Sequence, residues 1–175
     1  MTSMSAPMAS TRAPQTSIRL SVGAEERVHV DASSWWNATA LQVQPNETYA
    51  LHADGVWYDA DIEATAAGYT RLLLAPFGWA RRARKADWFS LVAAVHSISG
   101  LDKVRPSAGN FVSGWIDSCR HGLRSCDGAS DLTDIGEHGM LTVRRAGHLY
   151  LFANDAFFAY CNNRGAVTVC IKRLT

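Results

Sequence analysis

The residues best suited to chemistry lie near the C-terminus, where Asp155 is followed at short range by the adjacent amides Asn162 and Asn163. Carboxylate and amide oxygens converging on one loop are the donors that a hard cation such as Ca²⁺ takes. Asn162 to Gly165 reads as a turn, because Gly165 is free to adopt a positive φ before the last apolar run begins. A loop of this length returns both amides to Asp155. Asp59 and Asp61 are further candidates from a neighbouring loop, and backbone carbonyls can add to the shell. Three side-chain oxygens with one or two carbonyls still fall short of the roughly 6–8 ligands Ca²⁺ prefers, so positions remain for water or for vicinal sugar hydroxyls. Asn, Asp and Gly are also the ordinary residues of turns, and the same spacing fits a loop that holds no ion.

Other chemistry is less marked. No HExxH, GxSxG or P-loop motif occurs, and nothing local marks a nucleophile. Arg81, Arg82, Arg84 and Lys85 form the one basic cluster, flanked by Trp79 and Trp88. It reads as a solvated loop or as a site for an anionic sugar or phosphate, with Trp79 and Arg81 the candidate ligand contacts. A net charge of +1 and no wider basic surface argue against nucleic acid. Cys119, His121 and Cys126 do not match the usual zinc spacing. With several Asp residues in 116–138 they are the only place an enzyme reading finds support, and the expectation is a non-enzyme.

The elements that must position the loop are strands. Residues 17–22, 26–30, 39–43 and 49–53 alternate, with a turn at Pro45-Asn46. Residues 69–77 read as a short strand or surface loop, Trp88–His96 as a buried strand and 111–115 as a short strand. Residues 116–138, rich in Gly, Ser and Asp, read as a long loop. Strands at 139–145, 147–153 and 166–174 complete the pattern. Eight or nine short strands with turns between them predict an all-β, antiparallel sandwich of jelly-roll, galactose-binding-domain-like type. Trp35, Trp36, Trp57 and Trp115 are expected in the core or at its edge.

Hydrophobic residues make up 47% of the 175-residue chain and charged ones 19%, enough apolar material for one substantial core. Residues 1–16 read as a flexible tail and 17–175 as a single domain. No apolar run approaches the roughly 18 residues of a membrane span. The tail lacks the basic and apolar regions of a secretory signal, so the expectation is a cytoplasmic protein, or one exported without a recognisable signal peptide.

The C-terminal segment resembles the bacterial calcium-dependent galactophilic lectins of the LecA (PA-IL) type. Asn154, Asp155, Tyr160, Asn162, Asn163, Gly165, Val167 and Val169 stand in that family's order and spacing. Upstream, Tyr49 to Asp59 with Gly55 and Trp57, and the strand Leu91 to Val95, look like further family segments. The resemblance is close over 147–171 and loose over the rest of 37–175. It implies that Asp155, Asn162 and Asn163 bind Ca²⁺ through side chains, that Ala159 and a residue near Asp59 do so through carbonyls, and that sugar hydroxyls reach the same ion. The family's His and Gln before the central strand have no counterpart in 75–87. Phe157 and Phe158 replace small residues of the ion loop and narrow its mouth, which makes Phe157 a candidate ligand contact. The expected function is therefore calcium-dependent carbohydrate binding to a galactose-like or other glycan. The alternative is a non-catalytic structural or protein-interaction module of the same fold. Sandwich edges are compatible with a homo-oligomer.

Overall fold

The computed structural model describes residues 17–103, 131–156 and 158–175. The tail, the 111–115 segment with Trp115, Cys119, His121, Cys126 and Phe157 lie outside the described residues. Among those described, the chain forms eleven strands: β1 (Glu25–Asp31), β2 (Asn37–Val43), β3 (Thr48–Asp54), β4 (Trp57–Asp59), β5 (Ile62–Ala64), β6 (Ala67–Tyr69), β7 (Trp88–His96), β8 (Asp131–Asp134), β9 (His138–Thr142), β10 (Gly147–Ala153) and β11 (Asn163–Arg173). They build two antiparallel sheets. The larger runs β5-β4-β11-β3-β9, with β1 on the other edge of β11, and the smaller runs β2-β10-β7-β6, with β8 also on β7. This is the sandwich that the alternating pattern predicts.

Alternation explains the core. Val167, Val169 and Ile171 of β11, Tyr49 and Leu51 of β3, and Leu141 of β9 face Leu41 and Val43 of β2, Leu149 and Leu151 of β10, and Phe89, Leu91 and Val95 of β7. Burying each such side chain contributes about 1.5–3 kcal/mol. A second apolar cluster covers the opposite face of the smaller sheet, where Val92, Ala94, Tyr150 and Phe152 meet Trp35, Trp36 and Tyr160. Both faces of β7 are thus covered, and all nine of its residues are buried. A strand buried on both faces reads as a continuous apolar run.

Three expectations change and one sharpens. Residues 17–22 make only an isolated bridge, Ile18 to Leu41, rather than a strand. Of the alternating apolar residues only Leu20 is buried in the core, while Ile18 and Val22 stay exposed. The 69–77 stretch, read as a short strand or surface loop, is on the surface as a 3-10 segment over Leu72–Ala80, with only Tyr69 in a strand. The expected 116–138 loop contains β8 at its end, paired with β7. Asn162 to Gly165 is not a turn: Asn163 already opens β11. No helix among the described residues is long and apolar enough to cross a membrane.

Candidate functional site

β11 is the strand on which the site is assembled. Its first residues, Asn163 to Gly165, pair with β4, so that Asn163 lies opposite Asp59 and Gly165 opposite Trp57. Beyond them the same strand pairs with β1 on one edge and β3 on the other. Gly165 sits at the change of partner with φ +85°, and a Cβ there would stand 3.2 Å from the Trp57 Cα. Only glycine meets both demands without strain.

Asn154 and Asp155 follow directly on β10. Asn154 is fully buried and ties the 82–87 loop to the strand end. Its Oδ1 accepts from the Ala83 N–H at 2.9 Å, and its Nδ2 donates to the carbonyls of Ala83, Ala86 and Asp87 at 2.9–3.1 Å. Its own carbonyl accepts from the Phe89 N–H. Phe89 is held at φ +59°, a sparsely populated conformation for a bulky residue, with its ring edge-on to Trp57 at 6.0 Å.

Asp155 is 2% exposed. Oδ1 accepts from the Ala156 N–H at 2.6 Å and Oδ2 from the Asn163 amide at 3.0 Å. Asn163, 6% exposed, also donates to the Ala32 carbonyl at 3.3 Å. Its Oδ1 is buried and has no hydrogen-bond partner. Such an orphan is costly, on the order of 1–3 kcal/mol, unless something else meets the oxygen. Asn162 lies on the exposed side and donates through Nδ2 to Asp59 Oδ1 at 3.1 Å. The other Asp59 oxygen accepts from the Tyr69 hydroxyl. Burial and the Asp59 charge hold that phenol far above its ordinary range.

The electrostatics point the same way. Asp155 is pushed up to about 7, first by burial and second by the Asp59 charge. The Asn163 amide, the Ala156 N–H and Arg82 oppose that rise without cancelling it. Negative charge here is therefore under-compensated, which a cation would correct.

Asp155, Asn162, Asn163 and Asp59 thus come together. Ala159 adjoins them, its carbonyl accepting from the Asn162 N–H at 3.1 Å. Asp61 does not join: it is exposed and faces Arg164 at 3.4 Å. All the gathered donors are oxygens, the set that suits Ca²⁺ or Mg²⁺ rather than a softer ion. Among the described residues no three acid, imidazole or thiol side chains share a metal-ligand arrangement, so any ion here depends on amide and carbonyl oxygens.

The 75–87 loop packs beside this group. The Arg81 backbone bridges to Ala156, and the Arg82 N–H donates to the Asp155 carbonyl at 3.3 Å. Trp79 is 66% exposed on that loop. Arg81 is engaged locally, donating to the carbonyls of Gly78, Arg84 and Ala86 and lying 5.6 Å from the Trp88 ring centroid. Arg82 departs from the solvated-loop reading: it is 3% exposed. Its guanidinium lies 3.6 Å from the Phe152 ring centroid and 4.2 Å from that of Trp36, and donates to the Tyr160 hydroxyl at 2.9 Å. Rings from distant parts of the chain make that cage, so the sequence carries no local signal for it. Tyr160 in turn donates to the Ala153 carbonyl and is wholly buried, which pushes its phenol up to about 12. Tyr69 is likewise not singled out by residue type, and Asn154 enters the sequence reading only as part of the family-like motif, with no role assigned to it.

No family model and no curated protein matches the chain. Among solved structures, it is similar to the "EclA N-terminal domain; PllA-like lectin". The TM-score is 0.51 and the identity 16%, over 85% of this chain and 95% of that one. At this identity the likeness is one of fold, and it agrees with the two-sheet architecture.

Proposed function

We propose that this chain is a calcium-dependent carbohydrate-binding protein that breaks no bond. The observation that carries the reading is the Asn163 Oδ1, buried without a partner beside a buried carboxylate. A cation held by Asp155, Asn163, Asn162 and carbonyls of the Ala159 and Asp59 neighbourhood would meet that oxygen and offset the repulsion between Asp155 and Asp59. When bound, the ion supplies a hard Lewis-acid surface suited to a pair of neighbouring sugar hydroxyls. The exposed Trp79 ring, on the loop that packs against Ala156, is the aromatic available to cover a sugar's apolar face. The likeness in fold to a lectin domain supports the same reading.

A second reading keeps the ion as a loop staple in a protein-interaction module. The local engagement of Arg81 favours it, because that side chain is not turned to a ligand. Calorimetric titration with Ca²⁺, followed by a glycan array with and without chelator, separates the two. The lectin reading expects calcium binding and glycan binding that chelation abolishes. Calcium binding with an empty array leaves the module, and no calcium binding at all overturns both.

A further inference from the structure

The most exposed large apolar side chains among the described residues, Leu72 at 96% and Leu73 at 86%, stand on the 3-10 segment Leu72–Ala80. Phe77, at 53%, and Trp79 project from the same segment, and Pro76 is exposed between them. Side chains three residues apart on a 3-10 helix eclipse, at a rise of about 2.0 Å per residue. Leu73, Pro76 and Trp79 therefore line up as one ridge about 12 Å long, with Leu72 and Phe77 beside it. Exposed apolar side chains scattered singly are ordinary, but a contiguous group of them marks a contact surface.

The charge around the ridge is one-sided. Between Thr70 and Asp87 stand Arg71, Arg81, Arg82, Arg84 and Lys85, with Asp87 as the one acid. Asp87 faces Arg81 at 3.8 Å, which leaves the exposed Arg71, Arg84 and Lys85 without an ion-pair partner among the described residues. The Arg81 guanidinium donates to the Gly78 carbonyl at 3.3 Å and to the Arg84 carbonyl at 3.1 Å. It thereby ties the basic turn at Arg84 and Lys85 to one end of the ridge, while Arg71 directly precedes the other.

We propose that this segment docks the protein on the surface of an anionic lipid bilayer. Leu72, Leu73 and Phe77 enter the acyl boundary, Trp79 sits at headgroup depth, and Arg71, Arg84 and Lys85 meet the lipid phosphates and carboxylates. Nine residues are far too few to span a bilayer, so the chain lies on it. A protein partner, a second copy included, needs a groove to receive a ridge whose leading side chain is almost wholly bare. A bilayer takes a convex apolar tip without one, and its negative surface complements the three cations. Docking uses none of the oxygens around Asp155 and requires neither calcium nor sugar.

The test is co-flotation of the full chain, in chelator and low salt, with vesicles of phosphatidylcholine alone or with about 30% phosphatidylserine. The wild type should bind the mixed vesicles more tightly than the neutral ones. Its tryptophan emission should shift to the blue as the Trp79 ring leaves water, and Trp79→Phe should bind without that shift. Leu72→Ser combined with Leu73→Ser should weaken binding about tenfold or more. Arg84→Gln and Lys85→Gln should each weaken binding to the mixed vesicles about fivefold. Circular dichroism checks that these surface variants keep the fold. Absence of binding to the mixed vesicles, or binding that the leucine pair does not change, overturns the proposal. So does a leucine-dependent dimer in sedimentation without vesicle binding, which assigns the ridge to a second copy. With calcium and glycan both absent from the assay, failure here leaves the lectin reading standing.

Discussion

Asp155 gives the sharpest test of how the calcium site is built. In the ion-free chain its carboxyl is raised from the ordinary 3.8 to about 7. At about 1.4 kcal/mol per pH unit, that rise amounts to at most about 4 kcal/mol. A raised carboxylate means that the folded state holds its proton more tightly than the unfolded one. The contribution to stability is therefore full below pH 4 and is lost as pH rises through 7. Asp155→Asn removes the titration while keeping an acceptor for the Ala156 N–H. Urea unfolding of both proteins in chelator, followed by tryptophan fluorescence from pH 4 to 8.5, isolates this group because other titrations cancel in the difference. The wild type should lose up to about 4 kcal/mol relative to the variant across that range, or about 8–16 °C in Tm for a chain of this size. Calcium should restore the wild type at pH 8 and leave the variant unchanged. A difference that stays flat with pH, or that grows in the wild type's favour, refutes the reasoning.

Two further outcomes follow from the supports of the site. Asn154→Ala leaves the Ala83 N–H without its acceptor and takes one donor from each of the Ala83, Ala86 and Asp87 carbonyls, which keep the Ala86 N–H, Arg81 and the Ser90 N–H, and should lower unfolding free energy by about 1–3 kcal/mol in urea titration. Gly165→Ala combines a left-handed φ with a close contact to the Trp57 backbone, and should cost about 1–3 kcal/mol and weaken calcium binding in the same calorimetric assay.

What the sequence revealed, and what it hid, follows from the range of the interactions. β10 and β11 could be read because their apolar residues alternate beside one buried face, and the Asp and Asn types between them name an oxygen-donor loop. β7 was legible as a buried strand but not distinguishable from a helix by pattern, because covering both faces erases its period. The 17–22 alternation misled because strand formation needs a partner, and that segment finds only a bridge. The unpartnered Asn163 oxygen depends on Ala32 and Asp155 closing around the amide, and the Arg82 cage on Trp36 and Phe152. Neither relation is written in adjacent residues.

The position of β11 also has a consequence for how the chain reaches this state. The strand at the centre of the larger sheet is made long after its neighbours β1 and β3, which must wait with open edges while more than a hundred residues emerge from the ribosome. Contacts between such distant segments close slowly, and bare strand edges invite aggregation in the interval. Asn163 meets Asp59 only when β11 docks, so the cation pocket should appear late, after the earlier strands of the larger sheet have been made.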